Sequence, residues 1–313
     1  MKYQLFNYKL SADQTAIGIL VNGKGYNLAT VSDNEYAPSI DALLENWEVS
    51  HARLRTLAVE LAANPARYAS SELDLEGLQW ASLLERPGTI YGAGANYRDH
   101  VEAMGRAMNM KLSLDPRSEG IAPWHFIKAG RGSLAAHQQA IACPPNTQML
   151  DWEAELAVFI GRRADKVSVE DALHYVAGYS CANDLSARDH LRRNQVDESS
   201  PFRFDWIGHK CFSGSCPLGP YLTPAEFIDS PENLDIKLWR NGKLEQDSNT
   251  SNHLYSIADQ IAYLSQRIEL FPGDVLLTGT PAGVGMETQT FIARGDVLKV
   301  WIEGLGELQN RII

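Results

Sequence analysis

Three carboxylates crowd one short stretch. In Asp151-Trp152-Glu153-Ala154-Glu155-Leu156-Ala157-Val158-Phe159-Ile160, every second residue from Trp152 is apolar, and Asp151, Glu153 and Glu155 alternate with them. A strand points successive side chains to opposite faces, so the three acids share one face and repel one another. Two arrangements relieve that repulsion. An edge strand can leave the acidic face in water, or a hard divalent cation can sit against it, because carboxylate oxygens suit Mg2+, Mn2+ or Ca2+ better than softer metals. A further carboxylate would favour the cation. Tyr179-Ser180-Cys181-Ala182-Asn183-Asp184-Leu185-Ser186-Ala187-Arg188-Asp189 reads as a strand running into a polar loop, whose end can bring Asp184 beside Glu153 and Glu155.

Two glycine-rich segments invite a nucleotide reading and fail it. Residues 279–285 lack the Gly-Lys-Ser/Thr ending of a phosphate loop. Gly92-Ala93-Gly94 begins like a dinucleotide fingerprint, but Tyr97 stands where the third glycine belongs. The segment that follows, Asn96-Tyr97-Arg98-Asp99-His100-Val101-Glu102-Ala103-Met104, has a helical stripe of Val101, Met104 and Met108 with His100 alongside. A lone histidine there is ordinarily structural, so its role depends on what faces it.

The elements that must position these groups fall into two parts. Residues 1–85 read as a small α+β unit: strands over 16–20 and 24–28 joined by Asn22-Gly23, a turn pair tolerant of positive φ, then helices over 40–47 and 51–63 stopped by Asn64-Pro65. Arg86-Pro87 marks the boundary, and residues 86–313 form a second, β-rich domain of short strands, glycine and proline turns and a few capped helices. Three capping boxes are expected, at Ser168 and Asp171, Thr223 and Glu226, and Ser256 and Asp259.

Composition narrows the functional classes. The chain has 313 residues with 28 Lys+Arg against 39 Asp+Glu, a net charge of −11, which disfavours nucleic acid and anionic membranes as partners. No apolar run approaches the ~18 residues of a membrane span, and the first residues carry no apolar core of a signal peptide. Four cysteines without Cys-x-x-Cys spacing point to reduced thiols, so a cytoplasmic enzyme or binding protein is expected.

Taken in order, Glu-x-Glu on a strand, Asn183-Asp184-Leu185-Ser186-Ala187-Arg188-Asp189, Pro217-Leu218-Gly219-Pro220, and Thr278-Gly279-Thr280-Pro281-Ala282-Gly283-Val284-Gly285 resemble the motif series of the fumarylacetoacetate hydrolase superfamily, over residues 88–313. The resemblance implies a β-rich roll and a homodimer. It implies that Glu153, Glu155 and Asp184 hold Mg2+ or Mn2+, which would offset the repulsion noted above. It also implies that Lys128, Lys210, Arg188, Gly279 and Thr280 surround a 2-oxo acid, with a lysine facing the carboxylate or the developing enolate.

The segment carrying His100 resembles the family's mobile lid, in which the histidine precedes by three residues a glutamate that completes an acid–base pair. Here that position is Ala103, and the nearest acid, Glu102, is rotated about 100° around the helix. His100 remains a candidate base, with Glu102 as its candidate partner. Two further departures bear on the substrate: Leu191 stands where many members carry glutamine, and Cys211-Phe212-Ser213-Gly214-Ser215 replaces a bulkier run. Both suggest a substrate tail less polar than a second carboxylate. The leading expectation is metal-dependent hydrolysis of a C–C bond in a 2,4-dioxo acid of the acylpyruvate type. Decarboxylation or keto–enol isomerisation of a 2-oxo acid is the alternative, and a non-catalytic binder of metal and oxo acid is the third reading.

Overall fold

The computed structural model describes residues 1–313. The chain begins with a meander of β1 (Gln4–Lys9), β2 (Thr15–Val21) and β3 (Lys24–Asn27), followed by helices α1 (Ile40–Leu44) and α2 (Trp47–Ala63). Asn22 and Gly23 both take positive φ, 50° and 78°, as the two-residue hairpin requires. Ser39 caps α1 by accepting from the Ala42 N–H, and α2 ends at Asn64 before Pro65. Leu54, Leu57, Ala58 and Leu61 form the buried stripe of α2.

Then follow β4 (Ile90–Ala93), α3 (Arg98–Met108), β5 (His125–Lys128), β6 (Ala154–Ile160), β7 (Val176–Asn183), α4 (Trp206–Lys210), β8 (Cys216–Pro224), β9 (Asp235–Arg240), β10 (Lys243–Asn249), α5 (Ile257–Ser265), β11 (Val275–Leu277), α6 (Gly285–Thr288), β12 (Val297–Ile302) and β13 (Gly306–Ile312). The large mixed sheet runs β3-β2-β1-β8-β7-β6-β11-β4-β5, with two-residue strands added beside β3 and β8. A second sheet runs β10-β9-β12-β13 and packs against the first. This is a mixed α+β, β-rich architecture.

The sheet continues across the boundary expected at residues 85–88. β1 pairs antiparallel with β8, Leu5 opposite Leu222. One core joins Leu5, Ile19, Leu54 and Leu61 from the first segment to Phe159, Leu218 and Leu277 from the second. The N-terminal residues therefore cover one face of the strands that carry the site.

β6 explains why the acidic segment is not a solvated edge. It lies between β7 and β11 and is buried along its whole length. Leu156, Val158 and Ile160 enter the core beneath the second sheet, and Ala157 and Phe159 enter the core beneath α2. Fully burying a leucine, valine, isoleucine or phenylalanine side chain contributes about 1.5–3 kcal/mol. With both faces covered, the acids at its start are buried rather than spread on a solvated face, and the edge-strand reading is overturned.

Of the three expected capping boxes, only Ser256 and Asp259 make both reciprocal bonds, at the start of α5. Ser168 accepts from the Asp171 N–H at 3.2 Å without a helix there. Thr223 is still in β8, where the Gln4 amide donates to its hydroxyl.

Candidate active site

Strand register builds the acidic cluster. β6 and β7 pair with Ala154 opposite Asn183, which leaves Glu153 and Asp184 as neighbours just beyond the paired ends. The Asp184 N–H donates to the Glu153 carbonyl at 2.8 Å, and Asn183 Oδ1 accepts from the Glu153 N–H at 3.0 Å. Glu155, two residues on, falls on the same face as Glu153. Its Oε2 accepts from the Gly279 N–H at 2.6 Å, which leaves Oε1 free. Gly279 sits at φ +102°, and a Cβ there would come 2.8 Å from Asn96 Cβ, so only glycine brings that amide to the carboxylate. Ligand oxygens of Glu153, Glu155 and Asp184 all lie within 4.8 Å of one another, and all three residues are buried.

Buried carboxylates require counter-charge. Lys210, at the end of α4, donates from Nζ to Glu153 Oε2 at 2.7 Å and to Asp184 Oδ2 at 2.5 Å. Lys128, at the end of β5, donates to Asp184 Oδ1 at 2.5 Å. Arg188 donates from Nε to Asp151 Oδ2 at 2.9 Å and from Nη2 to Glu153 Oε1 at 2.5 Å. Four carboxylates against these three cations leave one net negative charge. Burial pushes the Glu153 carboxyl up, but Arg188 and Lys210 outweigh it and hold it well below the usual range. Glu155 moves the other way: burial, then repulsion from Asp184 and Glu153, drives its pKa well up. A cation on the shared oxygens removes that repulsion. The all-oxygen donor set, its spacing and the free Oε1 of Glu155 fit a hard divalent ion such as Mg2+ or Mn2+.

The other expected residues divide. Glu153, Glu155, Arg188, Lys210, His100 and Thr280 line one cavity of about 190 Å³. Thr280 is held there by the Gln246 amide, which donates to its hydroxyl at 2.9 Å. Lys128 lies beneath Asp184, fully buried, and is not on the cavity wall. Gly279 gives its amide to Glu155 and is likewise off that wall. Both therefore support the carboxylates in this geometry.

Glu102 does not reach His100. It points along the outer face of α3, where its only ion pair is with Arg106, one helical turn on, at 4.0 Å. The partner of His100 is Glu287, on the single-turn helix α6: Nδ1 and Oε1 are 3.1 Å apart. A carboxylate accepts here, so a neutral His100 in this contact is the tautomer that donates from Nδ1 and presents the Nε2 lone pair. Glu287 is itself fixed, Oε2 accepting from the Gly283 N–H at 2.8 Å.

Asp151 ties the two halves together. Its Oδ1 accepts from the Gly285 N–H at 2.6 Å and its Oδ2 from the Met286 N–H at 3.0 Å, at the start of α6, while Oδ2 also accepts from Arg188. One carboxylate thus anchors the turn bearing Glu287 and the guanidinium that grips Glu153. Sequence reasoning missed Glu287. The signal was an acid two residues beyond the glycine-rich run, too short a helix to show any periodicity.

Three clustered carboxylates at strand ends, with Glu153 and Glu155 sharing a small cavity with a carboxylate-bonded histidine, make a site suited to a divalent metal and a small acid. The chain belongs to the fumarylacetoacetate hydrolase family: the model described as fumarylacetoacetate (FAA) hydrolase C-terminal matches residues 89–313. Among its relatives, the mitochondrial oxaloacetate tautomerase Fahd2a of Rattus norvegicus is 35% identical over 230 residues, 73% of this chain and 67% of that protein. The fumarylacetoacetate hydrolase of Exiguobacterium antarcticum superposes with a TM-score of 0.74 and 26% identity, covering 99% of both chains. The fumarylpyruvate hydrolase of Pseudomonas aeruginosa, solved with Mn2+ and pyruvate, gives a TM-score of 0.61 and 31% identity over 72% of this chain and 90% of that one. No helix is long and apolar enough to cross a membrane.

Proposed function

We propose that this protein is a Mg2+- or Mn2+-dependent hydrolase that cleaves the C3–C4 bond of a 2,4-dioxo acid, releasing pyruvate (or a substituted pyruvate) and a carboxylic acid. The observation that carries this reading is His100, hydrogen-bonded to Glu287, on the wall of the cavity that also exposes Glu153, Glu155 and Lys210. Ala103 removes the acid expected on the lid helix, and Glu287 supplies one from another element. Hydrolysis needs an oriented base, and this pair provides it.

When bound, a divalent cation supplies Lewis-acid polarisation of the 1-carboxylate and 2-oxo group. Lys210 sits between Glu153 and Asp184 with its ammonium buried, where it stabilises negative charge growing on the oxo-acid end. The Thr280 hydroxyl, accepting from Gln246, keeps its own proton to donate to the substrate carboxylate. His100 Nε2 takes a proton from water as its oxygen attacks the 4-carbonyl. Glu287 holds the imidazole and stabilises its charged form. The C3–C4 bonding pair leaves as the enolate of pyruvate, and His100 returns the proton to C3. The Mn2+- and pyruvate-bound fumarylpyruvate hydrolase supports this reading by similarity.

The rat relative favours a second reading, keto–enol tautomerisation, in which His100 moves a proton at C3 and no water is consumed. A screen of 2,4-dioxo acids and oxaloacetate with Mg2+ or Mn2+, following loss of the enol absorbance with product identification by NMR, separates the two. Two acids in equal amounts are expected. Enol loss with the carbon skeleton intact would establish the tautomerase, release of CO2 a decarboxylase, and binding without turnover a non-catalytic protein.

A further inference from the structure

One wall of the catalytic cavity is aromatic. Gly92 of β4 and Gly94 just beyond its end make room for it. Gly92 lies opposite Phe126 in the β4–β5 register, and the Gly94 N–H donates to the Trp124 carbonyl at 3.0 Å. A Cβ on Gly94 would come 1.9 Å from the Trp124 ring, and one on Gly92 2.4 Å from the Phe126 ring, so both rings lie flat across bare backbone. Trp206, in the first turn of α4, stacks on Phe126 with centroids 6.2 Å apart and planes 17° apart, and lies 5.2 Å from Trp124. Leu191 completes the wall. Trp124 and Trp206 remain 49% and 38% exposed, a large apolar area left open at a cavity rather than packed into a core.

That wall adjoins the charged end directly. Lys210 Nζ is 4.6 Å from the centre of the Phe126 ring, so one aromatic side chain touches both the oxo-acid end and the tryptophans. No basic group is left to serve the far end. Arg188 is engaged by Asp151 and Glu153, Lys210 by Glu153 and Asp184, and His100 by Glu287. His209 lines the cavity too, but burial and the neighbouring Lys210 push its pKa down to about 3, and its Nδ1 is bound to the Ala187 carbonyl at 3.0 Å. A carboxylate at the aromatic wall would lose part of its hydration against the rings and meet no free counter-charge among the lining side chains.

We propose that Trp124, Phe126, Trp206 and Leu191 bind the end of the substrate remote from its 2-oxo acid, and that this end is apolar, an aryl or branched alkyl group rather than a second carboxylate. The substrate class is then a monocarboxylic 2,4-dioxo acid with an apolar acyl group. This rests on the reading of the three-carboxylate cluster as the oxo-acid end. It sets this chain apart from relatives named for the dicarboxylates oxaloacetate and fumarylpyruvate.

Isothermal titration of the full chain with phenylpyruvate, pyruvate and 2-oxoglutarate, with and without Mg2+, tests it independently of turnover. Phenylpyruvate is expected to bind about tenfold more tightly than pyruvate, and 2-oxoglutarate no more tightly than pyruvate. Trp206→Ala should lower the phenylpyruvate-to-pyruvate affinity ratio about tenfold. Trp124→Ala, in a loop outside α4, should lower it in the same direction if the first variant fails to fold. Leu191→Arg should shift preference toward 2-oxoglutarate. Mg2+-dependent binding with 2-oxoglutarate at least as tight as phenylpyruvate, or a ratio unmoved by the tryptophan variants, overturns the apolar tail alone. Binding of all three acids that ignores Mg2+ overturns the oxo-acid reading and the inference with it.

Discussion

Glu153, Glu155 and Asp184 stand on the ends of strands buried on both faces, whereas His100, across the cavity from Glu153 and Glu155, and its partner Glu287 stand on helices. β6 and β7 have no exposed residue along their length. In α3 only Val101 is buried, and α6 is a single turn. The strand wall holds like charges together and needs rigidity, because every displacement of a buried ion is electrostatically expensive. In the proposed mechanism the helix wall handles protons, and a few hydrogen bonds suffice to orient its histidine. A site that must both hold a metal and admit a substrate gains from dividing the two tasks in this way.

The strand wall yields the largest effects. Glu153→Ala and Glu155→Gln should each reduce metal-dependent turnover on the order of 10³-fold or more, since several kcal/mol of charge stabilisation is lost. Their stabilities should differ. Removing Glu153 strips a partner from Arg188 and Lys210 at once, and breaking a buried ion pair costs about 3–5 kcal/mol. Glu155 has no cation bonded to it and is crowded by Asp184 and Glu153, so its neutralisation should leave the chelated protein as stable as the parent or more so. Thermal melts in chelator measure this. An equal loss of melting temperature in both variants would break the picture of one compensated and one uncompensated carboxylate.

On the helix wall, His100→Gln should slow the reaction by roughly 10²–10⁴-fold, the usual worth of a general base, with Mg2+ affinity unchanged. Glu287→Gln should cost about ten- to a hundredfold in kcat and little in KM, because the amide still reaches His100 but no longer stabilises its charged form. Titration calorimetry with Mg2+ beside steady-state kinetics gives both quantities. A fall in metal affinity in either variant would mean that the two walls are not separable.

The strand wall was legible in the sequence for a physical reason. Alternation has a period of two, so three acids on one face of one segment are visible within five residues, and their repulsion demands an explanation. The strand end that places Asp184 was readable as well. What eluded the sequence was burial: acidic alternation fits an edge strand equally well, and only the pairing of β6 between β7 and β11 excludes it. Glu287 was invisible because its contact with His100 spans 187 residues and rests on Asp151 anchoring a one-turn helix. The first 85 residues looked like a separate unit because hairpins and helices are local signals, whereas the pairing of β1 with β8 is not.

Acid should separate structure from chemistry more gently. His125 stacks on Tyr263, and His137 meets the edge of Trp80; burial pushes both pKa values down to about 4. Between pH 6.5, the ordinary histidine value, and pH 4 the unfolded chain holds protons that the folded chain refuses. Their stabilising contribution is therefore full above pH 6.5 and is lost progressively as pH falls toward 4. His125→Gln should flatten the fall in melting temperature across that window without moving the pH dependence of kcat. A shift in the kinetic profile instead would link this buried histidine to the chemistry.

The smallest effect is expected at Glu102, one residue before the position where the family pattern places the acid. Glu102 is exposed on α3 and meets only Arg106, at 4.0 Å, and such a surface pair on a helix is worth about 0.3–0.5 kcal/mol. Glu102→Gln should therefore leave kcat, KM and melting temperature close to the parent, while Glu287→Gln does not. The contrast is informative because α3 is the element expected to move. If closure rotated Glu102 inward and carried His100 away from Glu287, the two variants would exchange their effects. A hundredfold loss in Glu102→Gln with a silent Glu287→Gln would then assign the working partner to the lid helix, and the Glu287 contact to an open state.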